Sequence, residues 1–348
     1  MVRVGIVGIG FMGMVHYLTY QKLKGVKVAA VCSRSEKRRQ GDWRGIQGNF
    51  GPPGTIMDLS GVTTYESINE LLQDPQIDVI DITLPPSLHT EIAIRALKAG
   101  KHVFCEKPIS LQLRESEKMV AAATASGKQL TIGHVLPYFP EYVWARKAID
   151  SGRYGRLLGG TFRRVISDPA WLPDYWNAER GGGPMLDLHV HDAHFIRAVF
   201  GMPIHVTTAG RMRGDCAEYW TSQFQFADRS LAVTANSGVI CQQGRSFLHG
   251  FEIHLEHATL AFEFSVVAQE GKYTCAPVLI GPGSKVSFPE LGNGDPMLAF
   301  EAELRDMVKG IRTGTPASIL EAGLARDAVL LCHKQNESLR KGKAVRVG

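Results

Sequence analysis

Three glycines in Gly8-Ile9-Gly10-Phe11-Met12-Gly13 follow the short β-branched stretch Arg3 to Val7, and this placement constrains the chain more than any other feature. A helix-compatible stretch runs on to about Lys24, and a second strand-like segment, Val26 to Cys32, ends about 20 residues after the glycines. Gly8 permits the tight turn, Gly10 lets a backbone approach a pyrophosphate, and Gly13 lets the helix pack close to the sheet. The helix N-terminus then faces the anion. The pattern predicts dinucleotide binding at the first strand-to-helix turn, with Phe11 and Met12 in the same turn.

Strands and helices continue to alternate: Ile68 to Gln73 reads as a helix, Val79 to Thr83 as a strand, Glu91 to Lys98 as a helix and His102 to Cys105 as a strand. Alternation of this kind builds a parallel, doubly wound sheet, a Rossmann-type α/β domain. Gly41 to Gly61 is rich in Gly and Pro and has no period, so it reads as an ordered surface loop. After roughly residue 130 the texture changes to strands without intervening helices, from Leu157 to Val165 through Val278 to Ile280, which predicts an α+β domain with a large, mainly antiparallel open sheet. Helices are expected at Met297 to Ile311 and Glu321 to Leu339, and a last strand at Ala344 to Val347. The expected division is 1–130 and 131–348, in keeping with 348 residues at ~150 per domain.

Composition narrows the class. With 44% hydrophobic and 21% charged residues the chain is globular rather than disordered. No apolar run reaches the ~18 residues a membrane span needs. A net charge of +5, with no basic cluster interleaved with aromatics, gives no nucleic-acid footprint. Six scattered Cys without a C-x-x-C pair suggest neither a disulfide framework nor a thiolate metal site, and a reducing, cytoplasmic setting is expected. Met1 to Met14 carries four glycines and no cleavage-type tail, so it reads as strand and turn rather than signal peptide.

At the end of the second strand an NAD site usually offers a carboxylate to the ribose 2′-hydroxyl, whereas this chain reads Cys32-Ser33-Arg34-Ser35, with Arg38 following. A hydroxyl and guanidinium groups suit a 2′-phosphate. NADP(H) is therefore the favoured cofactor, with NAD(H) as the other possibility. Glu106-Lys107-Pro108 directly follows a strand and so lies at the carboxyl end of the parallel sheet, where open α/β folds bind ligands.

Gly181-Gly182-Gly183-Pro184 marks a helix start, and Asp187 and His191 would then lie i, i+4 on one face, a carboxylate able to orient an imidazole. Histidine exchanges a proton near neutral pH, as hydride transfer from an alcohol requires. Asp187-x-His189-x-His191 also resembles metal-binding D-x-H-x-H, but that motif follows a strand in folds without a dinucleotide fingerprint. No metal is therefore expected, and His189 and His194 read as filling polar space.

The fingerprint, Leu84-Pro85-Pro86-x-x-His89, Ala99-Gly100-Lys101-His102-Val103-Phe104-Cys105-Glu106-Lys107-Pro108 and Gly181-Gly182-Gly183-x-x-x-Asp187-x-x-x-His191 together resemble the Gfo/Idh/MocA family of NAD(P)-dependent oxidoreductases over essentially the whole chain. The resemblance implies a cofactor domain followed by a substrate-binding and oligomerisation domain, assembled as a homodimer or homotetramer. It maps the family's catalytic lysine, aspartate and histidine to Lys107, Asp187 and His191, and adds Leu84, Pro85, His89 and Glu106 to the cofactor contacts. It implies a sugar, inositol or related cyclic polyol as substrate, with Lys107, Asp187 and His191 at the reacting hydroxyl. Trp171, Tyr175 and Trp176 precede the glycine cluster and are candidates to stack on a pyranose face, and Tyr138 is a further candidate contact.

The chain departs from the pattern at Pro137, where Arg is common, at His189, where a small residue is common, and at Pro86, where Asn is common. Two other activities stay open at this point: redox-assisted glycoside cleavage by transient oxidation and elimination, and non-enzymatic sugar sensing.

Overall fold

The computed structural model describes every residue except Trp171, Pro173 and Asn293. The chain forms two compact units, Met1–Phe139 with Gly294–Arg326, and Pro140–Asn293 with Asp327–Gly348.

The first unit opens β1 (Val2–Val7), α1 (Phe11–Tyr20), β2 (Val26–Cys32), α2 (Glu36–Arg39), β3 (Thr63–Tyr65), α3 (Ile68–Gln73), β4 (Val79–Ile82), α4 (His89–Lys98), β5 (His102–Glu106), α5 (Leu113–Ser126) and β6 (Leu130–Gly133). The six strands form one parallel sheet in the order β3-β2-β1-β4-β5-β6, the doubly wound Rossmann arrangement the alternation predicts. Central strands are covered on both faces and so read as apolar runs. In β1, Val4 and Ile6 are fully buried, as are Val79, Ile80 and Ile82 of β4. The loop after α2 is irregular but ordered: Trp43 is fully buried, its indole N–H donating to the Arg38 carbonyl at 2.9 Å. Phe50 packs edge-on against Phe11 at 4.9 Å between ring centres.

The second unit contains α6 (Pro140–Asp150), β7 (Leu157–Ser167), α7 (Gly183–Asp187), α8 (Val190–Phe200), β8 (His205–Arg213), β9 (Cys216–Gln225), β10 (Ala232–Ile240), β11 (Arg245–Leu255), β12 (Ala258–Val267), β13 (Glu270–Ile280) and β14 (Val286–Ser287). Then come α9 (Pro296–Thr313), α10 (Ala322–Lys341) and β15 (Val345–Arg346). The nine-stranded sheet, ordered β14-β13-β12-β11-β7-β10-β9-β8-β15, is antiparallel at each pair except β7 with β10. This is the large, mainly antiparallel sheet expected. Its core is aromatic: Tyr142 meets Phe195 and Phe251 edge-on at 4.8 and 5.3 Å, and Phe162 is fully buried beside them.

The packing units differ from the expected division at residue 130. The sixth strand, Leu130–Gly133, runs across that point, and α9, read from sequence as part of the second half, belongs to the first unit. The reason is apolar cover. Val15 and Phe11 of α1 would be bare without Met297, Ala299 and Phe300 of α9, which form a cluster with them. Among the described residues no helix is long and apolar enough to cross a membrane.

Candidate active site

The glycine turn has the shape a dinucleotide needs. Gly8 holds φ +101°, and a Cβ there would meet the Thr83 carbonyl at 3.0 Å. A Cβ on Gly13 would lie 2.1 Å from the Gly8 carbonyl, so α1 approaches β1 this closely only with glycine. Over Gly10, by contrast, the space within 4 Å is open. The N-cap of α1 is Gly10, with no side-chain cap, and its first turn carries no acidic residue. The leading N–H groups and the positive end of the helix dipole are therefore left for an anion, which is the fit a pyrophosphate requires.

Beyond β2, Ser33 is half-buried and Arg34 is exposed, with the Ser33 hydroxyl accepting from the Ser35 N–H at 3.2 Å. Arg38 is committed elsewhere. Its Nη1 donates to the carbonyls of Asp42 and Arg44 at 3.0 and 3.2 Å and so shapes the loop. Arg38 nonetheless lines a cleft of about 550 Å³ with Ser35, Lys37, Asp42, Arg44 and Gly45. Sequence reasoning passed over Arg44, which is paired with Asp42 through Nε and Nη2 at 2.9 and 3.0 Å.

At the carboxyl ends of β4 and β5, Leu84 is half-buried and Pro85 exposed. His89 is fully buried, its Nδ1 lying 2.9 Å from the Pro108 carbonyl and its Nε2 2.8 Å from that of Leu84. The ring braces the two loops against each other. Glu106 is 7% exposed, and its Oε2 accepts the Lys107 N–H at 3.2 Å. Lys107 itself is half-buried and precedes Pro108 through a cis peptide bond.

In the second unit the single helix expected over the Asp187 to His194 region is two. The Leu188 and His189 N–H groups both reach the Pro184 carbonyl, at 3.1 and 3.0 Å, the second spanning five residues. This wide turn separates α7 from α8. Asp187 and His191 therefore stand on successive helices rather than one turn apart on one. Of the stretch Gly182 to Ile196, only Asp187 and His191 are not buried. Their neighbours are sunk: Asp192 takes Arg164 of β7 bidentately, at 2.6 and 3.1 Å, and His189 Nδ1 lies 2.8 Å from the Ser237 hydroxyl. Arg164 and Asp192 were not anticipated, although an Arg inside the apolar run of β7 is a signal in itself. Among the described residues no group of three His, Cys, Asp or Glu side chains is placed to hold a metal ion.

The aromatic candidates divide. Tyr175 is buried at 5% exposure and so is unavailable for stacking, a correction to the expectation. Trp176 is half-buried, donates to Asp168 at 2.9 Å and has the Arg213 guanidinium 4.3 Å from its ring centre, so packing already occupies that face. Tyr138 belongs to the first unit and donates to Asp306 of α9 at 3.0 Å. Trp171 lies outside the described residues.

Known proteins agree with this architecture. The chain is 38% identical over 136 residues to the 1,5-anhydro-D-fructose reductase of Ensifer adhaerens, covering 38% of this chain and 40% of that one. It is 36% identical over 160 residues to the inositol 2-dehydrogenase/D-chiro-inositol 3-dehydrogenase of Lactiplantibacillus plantarum, covering 45% and 42%. These matches thus span about two-fifths of each relative. The myo-inositol 2-dehydrogenase of Thermotoga maritima aligns over 99% of this chain and 98% of its own at 24% identity. Levoglucosan dehydrogenase, solved in complex with NADH and levoglucosan, shares the fold with a TM-score of 0.78 at 21% identity, covering 99% of both chains. Residues 2–134 match the NAD-binding Rossmann fold of an oxidoreductase family and residues 142–261 match its C-terminal domain, so this chain belongs to the Gfo/Idh/MocA family.

Proposed function

We propose that the protein is an NAD(P)-dependent oxidoreductase that reversibly oxidises a secondary hydroxyl of a sugar, inositol or related cyclic polyol. The observation that carries the reading is the selective exposure of Asp187 and His191 in an otherwise buried stretch, on a chain whose other unit holds a pyrophosphate-shaped glycine turn. Names of relatives, an anhydrofructose reductase and two inositol dehydrogenases, support the substrate class.

In this reading Gly8, Gly10, Phe11, Met12 and Gly13 hold the pyrophosphate, while Leu84, Pro85 and the Glu106–Lys107 segment receive the nicotinamide end. A bound nicotinamide supplies a hydride acceptor. The His191 imidazole takes the hydroxyl proton as the carbon-bound hydrogen leaves with its electron pair, and the Asp187 carboxylate stabilises the imidazolium that results. The Lys107 ammonium polarises the same oxygen. NADP(H) is preferred, through Ser33 and Arg34 at a position without a carboxylate and with Lys37 in the adjoining cleft. The protein assembles as a homodimer or homotetramer through the polar face of the nine-stranded sheet, where Thr161, Thr221 and Glu252 are exposed.

The test is a panel of inositols, aldoses and ketosugars read by absorbance of the reduced cofactor. Net cofactor reduction with a cyclic polyol supports the reading. Sugar cleavage without net cofactor change, or no turnover at all, contradicts it.

A further inference from the structure

One residue of α1 has no part in the glycine fingerprint yet connects it to Lys107. His16 is fully buried. Its Nδ1 lies 2.9 and 3.1 Å from the two carboxylate oxygens of Asp81 on β4, and its Nε2 lies 3.0 Å from Glu106 Oε1 on β5. Ionised carboxylates only accept hydrogen bonds, so a ring that meets one at each nitrogen must donate from both, and only the imidazolium does so. Asp81 also accepts from the Tyr20 hydroxyl at 2.9 Å.

The other end of the chain of bonds is Glu106, whose second oxygen takes the Lys107 N–H. Opposite it in the sheet stands Gly133, where a Cβ would lie 3.1 Å from Glu106 Oε1 and 3.2 Å from the Phe104 ring, so the carboxylate has its place because β6 ends in glycine. Phe104 and Phe300 wall the imidazole at 5.6 and 6.3 Å between ring centres, which keeps the bonds dry and strong.

A third carboxyl completes the cluster. Glu303 of α9 is fully buried, and among the described residues neither of its oxygens has a hydrogen-bond partner. Burial, and after it the Glu106 charge, raises its pKa well above the ordinary carboxylate range. Around His16, Asp81 of β4 and Glu106 of β5 bond the ring, Tyr20 of α1 bonds the same Asp81, Glu303 of α9 lies in the field of His16, Glu106 and Asp81, and Cys105 of β5 and His89 of α4 lie in the field of Glu106.

We propose that His16 is a positioning residue for the reaction: held by Asp81, its ring clamps the Glu106 carboxylate, which in turn fixes the Glu106–Lys107 peptide at the carboxyl end of β5. The inference rests on the reading of Lys107 as catalytic. Its specific content is that the Glu106 carboxylate stays in place because a charged ring faces it at hydrogen-bond distance. Gln at this position donates through its amide nitrogen only, so one carboxyl must then take up a proton or move.

The test pairs kinetics with spectroscopy. In His16→Gln, kcat falls about tenfold or more with the KM for the polyol within about threefold. Both kcat and the Kd for NADPH gain an ionisation between about pH 6 and about pH 9 that wild type lacks. A loss of stability alone would not add that ionisation. In wild-type protein labelled with nitrogen-15 at histidine, both His16 ring nitrogens remain protonated over the same range, a measurement that needs neither turnover nor a folded variant. A neutral His16 tautomer at pH 7, or a variant with wild-type pH profiles, overturns the proposal. Wild-type turnover in Lys107→Met would overturn the catalytic reading together with it, whereas loss there beside wild-type behaviour in His16→Gln overturns this inference alone.

Discussion

His16 in the first unit and His189 in the second are both 0% exposed, and they carry opposite charge states. Burial by itself pushes each toward the neutral ring. At His16 it is opposed by Asp81 and then Glu106, and the pKa is raised to about 10. At His189 burial prevails and the pKa is lowered to about 4, because the nearest carboxylate, Asp192 at 3.9 Å, is already taken by Arg164. His189 instead meets the Ser237 hydroxyl and the edge of Trp220. Charge state in a core is thus set by which partners are uncommitted, not by depth.

The two regions share a second trait. Each exposes a proposed catalytic group by sinking its chain neighbour: Glu106 beside Lys107, and Asp192 beside His191. In the first the buried anchor is a carboxylate held by an imidazolium, in the second a carboxylate held by a guanidinium.

The largest stability effect lies in the second anchor. Asp192→Ala leaves the Arg164 guanidinium buried without its partner and should cost about 3–5 kcal/mol in urea unfolding. A cost under about 1 kcal/mol would mean that water or another group replaces the carboxylate. The pH dependence of stability separates the two histidines by sign. For His16 the folded pKa lies above the unfolded one, so its contribution is complete below about pH 6.5 and is lost as pH rises through about 10. For His189 the folded pKa lies below, so stability falls as pH drops from about 6.5 through about 4, where the unfolded ring binds a proton that the folded one refuses. Thermal melts of His16→Gln and His189→Gln against wild type should flatten opposite limbs of the profile, and flattening of the same limb in both would break the comparison.

The same distinction between committed and uncommitted groups applies to two arginines. Arg38 is engaged with loop carbonyls, whereas Arg34 is exposed beside Ser33. Arg34→Ala should lower the ratio of kcat/KM for NADP over NAD by about tenfold, or ~1.4 kcal/mol. An unchanged ratio would remove Arg34 from cofactor discrimination.

Much of this was legible in the sequence. Glycine spacing and strand alternation announced the parallel sheet because such patterns follow directly from backbone sterics and two-sided burial. The antiparallel sheet was legible from strand succession. The break between α7 and α8 was not, because one wide turn at His189 leaves the helical periodicity almost intact. The place of α9 was hidden too, since a helix pattern shows an apolar face but not which surface covers it. Tyr175 looked available only because sequence does not reveal that its ring is buried. His16 had a faint signal, a histidine three residues past Gly13 on the helix face that carries Tyr20.

The central claim is that His191 and Lys107 perform the chemistry on a cofactor bound by the glycine turn. It is tested most directly by single-turnover and steady-state rates of His191→Ala and Lys107→Met beside NADPH titrations of the same proteins. The account predicts a loss of about 10²-fold or more in turnover for each, with the Kd for NADPH within about threefold of wild type. Near-normal turnover in either variant would contradict it.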